Sequence, residues 1–239
     1  MTLFTETVMK VFLKNLLLGA IASTSLLTVG VVEAHAADIK ATVTADNFYG
    51  IFYGNEDGST LNFVGRNETG DGGSSGGYNW SQAETWDFQV NNNDYLYLVT
   101  WDDGRVAESW IGEFEVGGKT ILSGADDWEY IVGGDNPYLT DKSTNLLPGN
   151  AELSSFIDGA LWQDTISIGK NGITPWRTIA GVDEDADWLQ TASHTEGSYT
   201  IFRTRVPAED VADVPEPAST VGLLFVGAIA TTMKRKRKA

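Results

Sequence analysis

The chain of 239 residues contains no cysteine. A disulfide framework, a thiolate metal site and redox chemistry at sulfur are therefore excluded. A domain of this size must then be held by its hydrophobic core, with oxygen-ligated ions as the remaining cross-link.

Basic residues are scarce between residues 37 and 213, where nine Lys and Arg stand against 30 Asp and Glu, a net charge of −21. A surface this negative repels phosphate backbones, so nucleic acid is excluded as a partner of this region. The same charge attracts divalent cations.

Histidine is also rare, and His194 in the polar segment 191–197 is the one that follows the N-terminal region. No G-x-S-x-G elbow marks a nucleophile that could use it in a triad. We interpret His194 as an exposed loop residue and the protein as a non-enzyme. Carboxylate pairs suited to a glycosidase occur by chance among 30 acids, so a secreted hydrolase is the weakest alternative.

The N-terminal segment has the order of a secretory signal peptide. Lys10 and Lys14 precede an uncharged run over 15–32, and small residues follow at Ala34 and Ala36. This order predicts removal of residues 1–36 by signal peptidase, although Ala37 could also be the last residue removed. A retained membrane anchor is the alternative, since the run is long enough to span a bilayer.

The C-terminus has three elements in a fixed order: Val214-Pro215-Glu216-Pro217, an uncharged stretch over 218–233, and the basic cluster Lys234, Arg235, Lys236, Arg237 and Lys238. As a helix the stretch would be about 24 Å long, which can span a bilayer if its flanks adjust. The basic cluster should stay in the cytoplasm, which places the Pro-Glu-Pro peptide at the outer boundary of the inner membrane.

This C-terminal order resembles the PEP-CTERM sorting signal of exported proteins. The resemblance covers residues 213–239 and implies recognition by an exosortase, release of the helix, and display at the cell surface or secretion, often alongside exopolysaccharide. An ordinary tail anchor is the alternative. The predicted layout is a signal peptide (1–36), a folded domain (37–206), a linker (207–213) and a sorting signal (214–239).

The region between the two ends favours β-strands. Gly, Asn and Asp recur every eight to twelve residues, and runs rich in Val, Ile, Tyr, Phe and Trp lie between them. Both faces of 94–101 are apolar, which predicts a central strand of a sandwich. The other predicted strands cover 39–45, 48–53, 60–64, 85–90, 110–116, 128–132 and 198–206.

Other segments predict turns and short helices. Gly117-Gly118 and Asp102-Asp103-Gly104 are typical of turns. Apolar residues at helical spacing from Leu153 to Leu161 predict a helix capped by Asn150, and Asp187-Trp188-Leu189 predicts a second short helical turn. The expected fold class is an all-β, jelly-roll-like antiparallel sandwich with one or two short helices.

Residues 42–130 resemble galactose-binding-like jelly-roll domains. The resemblance lies in Thr44-Ala45-Asp46-Asn47-Phe48-Tyr49, Asn79-Trp80, Ala83-Glu84-Thr85-Trp86, the run from Tyr95 to Trp101, and Ile111-Gly112-Glu113-Phe114. Pro175-Trp176, Ala186-Asp187-Trp188 and Ile201-Phe202-Arg203 resemble the closing part. The resemblance implies that the Asp-Asn pair supports the scaffold and does not itself contact sugar.

Two sets of residues are candidates for ligand contacts. Asp183, Asp185 and Asp187 alternate as in a calcium loop, but an EF-hand is excluded by Trp188 at its sixth position and His194 at its twelfth. A different calcium site, using these acids or Asp46, Asp102 and Asp103, and solvated turns both stay open. Trp86 and Trp101 are predicted in the core, whereas the tryptophans near turns are candidates for a sugar-binding surface: Trp80, Trp110, Trp128 and Trp176.

These observations favour an exported, non-enzymatic protein that contacts matrix polysaccharide. A calcium-dependent, self-associating adhesive protein is the alternative. The expected partners are signal peptidase, exosortase and the inner membrane during export, and polysaccharide afterwards.

Overall fold

Buried and exposed side chains alternate along the start of the first strand, β1 (Ala36–Asp46). Ala37, Ile39 and Val43 are buried, while Asp38 and Lys40 on the opposite side are exposed. Because side chains of a strand point alternately to its two faces, this pattern gives β1 one face in the core and one charged face near its start.

The computed structural model describes residues 36–67, 80–104, 109–124, 126–136, 139–141, 147–191 and 197–207. After β1 the strands are β2 (Phe48–Gly54), β3 (Leu61–Arg66), β4 (Glu84–Asn91), β5 (Tyr95–Trp101), β6 (Ser109–Val116), β7 (Lys119–Leu122), β8 (Glu129–Asp135), β9 (Gln163–Asp164), β10 (Ile166–Lys170), β11 (Asp187–Gln190) and β12 (Ser198–Arg205). The described helix is α1 (Asn150–Ile157).

The strands form two antiparallel sheets. The first sheet has the order β10-β11-β6-β1-β4, with β7 also paired to β6, and the second has the order β3-β2-β5-β12-β8-β9. The all-β prediction is therefore confirmed at the level of two antiparallel sheets. Strand β5 lies inside the second sheet between β2 and β12, as its two apolar faces predicted.

Three apolar clusters hold the sheets. Inward-facing residues of both sheets form the central one, which includes Ile39, Leu98, Phe114 and Phe202. On the outer side of the second sheet, α1 contributes Leu153 and Ile157 to a cluster with Tyr97 and Trp101. On the outer side of the first sheet, Trp176, Ile179 and Val182 cover Ile111 and Trp188. Part of each outer face is thus shielded from water by a connecting segment.

The chain enters and leaves the domain at the same end. Ala36 lies opposite Asn91 in the β1–β4 pair, and the amide of Val206 donates to the carbonyl of Asp94 (2.9 Å). The side chain of Asp94 in turn accepts a hydrogen bond from the Asn91 amide (3.0 Å). We call this the near end of the domain, and the opposite end, which carries Asp46 and Asp102, the far end.

Two helix predictions are corrected. Asp187-Trp188-Leu189 lies in β11 because Trp188 packs in the outer cluster and Leu189 in the central core, as only an extended strand allows. The α1 helix begins after Gly149, and the side chain of Asn150 does not cap it but donates to the carbonyl of Leu61 (2.7 Å).

The helix is also shorter than its apolar spacing predicted. It ends at Ile157, followed by extended Asp158 and by Gly159 at φ 67°, a left-handed conformation suited to glycine. Leu161 therefore lies outside the helix, with 89% of its surface exposed.

Candidate functional site

Most of the predicted export signals lie outside the described residues. These are Ala34, Val214-Pro215-Glu216-Pro217, the 218–233 stretch and the basic cluster 234–238, and His194 lies outside as well. Ala36 is described as the exposed first residue of β1, and Ala37 is fully buried opposite Val90. None of the helices in the described ranges has the length and apolarity needed to cross a bilayer.

The structure corrects the interpretation of three candidate tryptophans. Trp110 and Trp128 pack edge to face in the central core, with ring centroids 4.6 Å apart, and Trp176 stacks on Trp188 at the same distance. Each of the three is at most 5% exposed, so no sugar can stack on its ring. The prediction was wrong for Trp110 and Trp128 because both pack in the central core between the sheets, and for Trp176 because its segment covers the outer face of the first sheet.

The remaining tryptophans differ in exposure. Trp80 is half-buried against the outer cluster of the first sheet and stays a candidate. Trp101 is buried, as predicted, in the outer cluster of the second sheet, and Trp86 is half-buried against the central cluster. Trp162, which the sequence did not single out, is half-buried beside Tyr97.

The predicted calcium ligands do not converge. The Asp185 carboxylate pairs with Lys170 (2.6 Å), while the Asp183 carboxylate accepts from the Asp185 amide (2.8 Å). Within the described ranges, no group of three Asp, Glu or His side chains is arranged to hold a metal ion. The calcium site, from either set of acids, stays a prediction without a ligand set in this part of the chain.

At the far end, Asp46 and Asn47 bind the scaffold. The Asp46 carboxylate accepts from the indole of Trp176 (2.8 Å) and from the side chain of Asn47 (2.9 Å), and Asn47 accepts from the Asp103 amide (3.1 Å). Burial raises the pKa of Asp46 to about 6, the hydrogen bond from Trp176 opposes this, and the charges of Asp102 and Asp103 add to it. This arrangement ties a covering segment to the sheet.

A groove crosses the uncovered part of the first sheet's outer face, toward the near end. The register places Lys40 of β1 between Asp87 of β4 and Glu115 of β6, and Thr120 of β7 lies beyond Glu115. Opposite residues of antiparallel strands share a face, so these side chains form one row. The groove has a volume of about 720 Å³, and we call it the charged groove.

A second row deepens the groove. Gln89 donates to the Asp38 carboxylate (2.8 Å), and the next strand contributes Gly117, which has no side chain. Gly117 and Gly118 have φ values of 53° and 82°, as a tight two-residue hairpin requires. A Cβ atom on Gly118 would meet nothing within 4 Å, so the turn leaves this end of the groove open.

The charged groove offers hydrogen-bond donors and acceptors side by side. Lys40 binds Glu115 (3.2 Å) while both side chains remain about half exposed, and Asp87 and Lys119 also line the groove. Such a surface suits a ligand rich in hydroxyl groups, each of which both donates and accepts. Its aromatic lining residue, Phe88, is half-buried and stacks on Tyr53.

A second cavity, of about 470 Å³, lies on the second sheet. The register aligns Tyr97, Arg203, Glu129 and Asp164 in one row across four neighbouring strands. We call this the arginine cavity, and its lining includes Tyr95, Asp126, Asp127, Glu129, Asp164, Arg203 and Arg205.

Arg203 is a buried charge at the wall of this cavity and is 7% exposed. Its Nε donates to Glu129 (2.5 Å) and its Nη1 to the Glu56 carbonyl (3.0 Å). The guanidinium carbon lies 3.8 Å from the ring centre of Trp162 and 4.7 Å from that of Tyr95, a cation–π arrangement. These contacts fix the guanidinium in one orientation.

Tyr97 supports the same row. Burial raises the pKa of Tyr97 well above its usual value, against the opposing effect of Arg203, so the phenol keeps its proton. It donates to the Asn55 and Glu56 carbonyls (2.6 and 3.1 Å). The sequence held one signal for this site: Arg203 shares a strand face with Tyr199 and Ile201, and a charge on an apolar face needs partners.

No protein-family model, curated protein or solved structure matches the chain.

Proposed function

We propose that the protein is exported, processed by an exosortase, and binds exopolysaccharide at the cell surface or in the matrix without catalysing a reaction. One observation carries the binding step: the charged groove is an open row of polar side chains on the outer face of the first sheet, beside the part of that face that an apolar cluster covers. Polar side chains fixed on strands present hydroxyl-binding groups at regular spacing, as a repeating polymer requires.

The negative charge of the groove and of the whole domain restricts the class of ligand. The groove residues Asp38, Asp87 and Glu115 outnumber Lys40 and Lys119, and the domain together with its linker, residues 37–213, carries a net charge of −21. The groove and the net charge of the domain would both repel a polymer rich in uronate or phosphate. The proposed ligand is therefore a neutral or amino-group-bearing polysaccharide.

The ends of the chain support the export step. A signal-peptide pattern precedes the domain, and the Pro-Glu-Pro peptide, apolar stretch and basic cluster follow it. In the same proposal the two sheets belong to a jelly-roll domain of the galactose-binding-like type. The contacts of Asp46 and Asn47 with the scaffold agree with the supporting role that the resemblance implies.

Affinity electrophoresis tests the binding step. Processed protein recovered from its host is run through gels containing the host's own exopolysaccharide or a neutral glucan, galactan or xylan. We expect at least one neutral polymer to retard the protein. Replacing Lys40 and Gln89 by alanine should weaken retardation about tenfold, which corresponds to about 1.4 kcal/mol.

Lys170→Ala is the matched control because Lys170 forms a comparable exposed ion pair with Asp185, outside the groove. Retardation by no polymer, with or without calcium, would reject the binding step. Calcium-dependent light scattering without a polymer would instead favour the self-associating adhesive protein.

A further inference from the structure

We propose that the arginine cavity is a second binding site, separate from the charged groove, and that it takes a single sugar residue carrying a protonated amine. The cavity lies on the second sheet, and the groove lies on the first. The site stands on its own geometry and does not depend on export or on polymer binding in the groove.

The first argument is the remaining hydrogen-bonding capacity of Arg203. A guanidinium has five N–H donors; one binds Glu129, one binds the Glu56 carbonyl, and a third interaction goes to the Tyr97 hydroxyl, which leaves two. Arg203 is more than nine-tenths buried, and it also lines the cavity. Donors held rigidly at a cavity wall suit the hydroxyl oxygens of a sugar.

The second argument is the charge of the lining. Four carboxylates, from Asp126, Asp127, Glu129 and Asp164, face two guanidinium groups. Glu129 is neutralised by Arg203, but Asp126, Asp127 and Asp164 make no side-chain hydrogen bond or ion pair to any residue that the structure describes. A ligand with a positive group is therefore favoured over a neutral one, and an anion is disfavoured.

The third argument is shape. A volume of about 470 Å³ falls in the range of small-ligand pockets and suits a single sugar residue with its solvation rather than a long chain. Tyr95 supplies an aromatic side chain on the lining, and Asp164 lies at the far side of the row from Tyr97. An amino sugar could place its amine at the carboxylates and its hydroxyls at Arg203.

The test uses the full chain, purified in detergent, and titrates it with glucosamine, glucose and glucuronate at about pH 6 by ligand-observed NMR. We expect glucosamine to bind at least tenfold more tightly than glucuronate, with glucose between them. Asp164→Asn should weaken the binding of glucosamine about tenfold and the binding of glucose less than threefold. Only the amine of glucosamine loses a charged partner in this variant.

Matched variants separate the outcomes. Asp158→Asn removes an exposed carboxylate outside the cavity and should change nothing. Lys40→Ala should leave glucosamine binding intact even if it abolishes polymer binding, so the two sites can fail separately. Arg203→Lys should weaken the binding of both glucose and glucosamine. Because Arg203 is buried, this variant could fail to fold, and the variant at the exposed Asp164 then provides the test. Absence of glucosamine binding, or glucuronate binding as tight as glucosamine, would overturn the proposal.

Discussion

The ring of Trp86 lies against the backbone of Gly65, where a Cβ atom would come within 2.1 Å of its Cζ3 atom. This contact joins β3 of the second sheet to β4 of the first and closes one edge of the sandwich. The indole then donates to the hydroxyl of Tyr49 (2.9 Å), which donates to Glu84 (2.9 Å). Burial, with the charge of Glu84, raises the pKa of Tyr49 well above its usual value, so the hydroxyl keeps its proton.

Gly65→Ala should therefore be strongly destabilising. The new methyl group must displace the Trp86 ring, and overpacking of this kind costs about 2 kcal/mol or more. Urea denaturation followed by tryptophan fluorescence would measure the loss. Gly197→Ala is the control because its Cβ would meet nothing within 4 Å, and an equal loss in both variants would show that Trp86 is not the cause.

Two ion pairs of similar length should differ in their contribution to stability. Arg203–Glu129 (2.5 Å) and Lys170–Asp185 (2.6 Å) differ in burial, since the Arg203 side chain is 9% exposed and the Lys170 side chain 60%. Glu129→Ala leaves a buried guanidinium without its carboxylate and should cost about 2 kcal/mol. Asp185→Ala should cost about 0.5 kcal/mol or less, because exposed pairs contribute little.

Chemical denaturation at low and high salt distinguishes the two variants. The Lys170–Asp185 contribution should shrink further with salt, whereas the Arg203–Glu129 difference should persist. Equal and small losses would contradict the rigid arginine row described for the cavity.

Stability should depend on pH through Asp46. Its folded pKa of about 6 lies above the ordinary 3.8, so the folded state holds the proton more tightly than the unfolded state. The stabilisation that protonated Asp46 gives the folded state is fully present below about pH 4 and is lost as the pH rises through 6. We expect the free energy of unfolding to fall by about 1 kcal/mol. This is less than the full pKa shift would give, because solvent reaches this half-buried carboxyl.

Asp46→Asn isolates this effect from the other acids. The amide oxygen can still accept from Trp176, but the side chain no longer titrates. Urea midpoints measured from pH 4.5 to 7.5 should therefore fall less with rising pH in the variant than in the wild type. Parallel curves would show that the Asp46 proton is not linked to folding.

Processing should depend on the Pro-Glu-Pro peptide. With Pro215, Glu216 and Pro217 changed to alanine, we expect the protein to keep its C-terminal stretch and to remain with the membrane fraction of the native host. Mass spectrometry of the C-terminus measures this directly. A wild-type protein recovered with an intact tail would contradict exosortase processing.

Several strands could be predicted because their local pattern and their final environment agree. β1 and β5 have apolar alternation or two apolar faces, and Gly117-Gly118 has the turn residues that its hairpin requires. β10 and β11 were not predicted, since their residues become extended only by pairing with each other and with β6. Local propensity is weak in such short segments and tertiary pairing decides.

The residues of the two proposed sites show the same division. The sequence alone determined the net charge, the absence of thiol chemistry, the export-like ends and the alternation that makes a sandwich, because these follow from composition and local order. Only the tertiary structure decided which tryptophans are buried and that Tyr97, Arg203, Glu129 and Asp164 share a row. That row depends on the register of four strands far apart in the chain, and packing over the whole core sets that register.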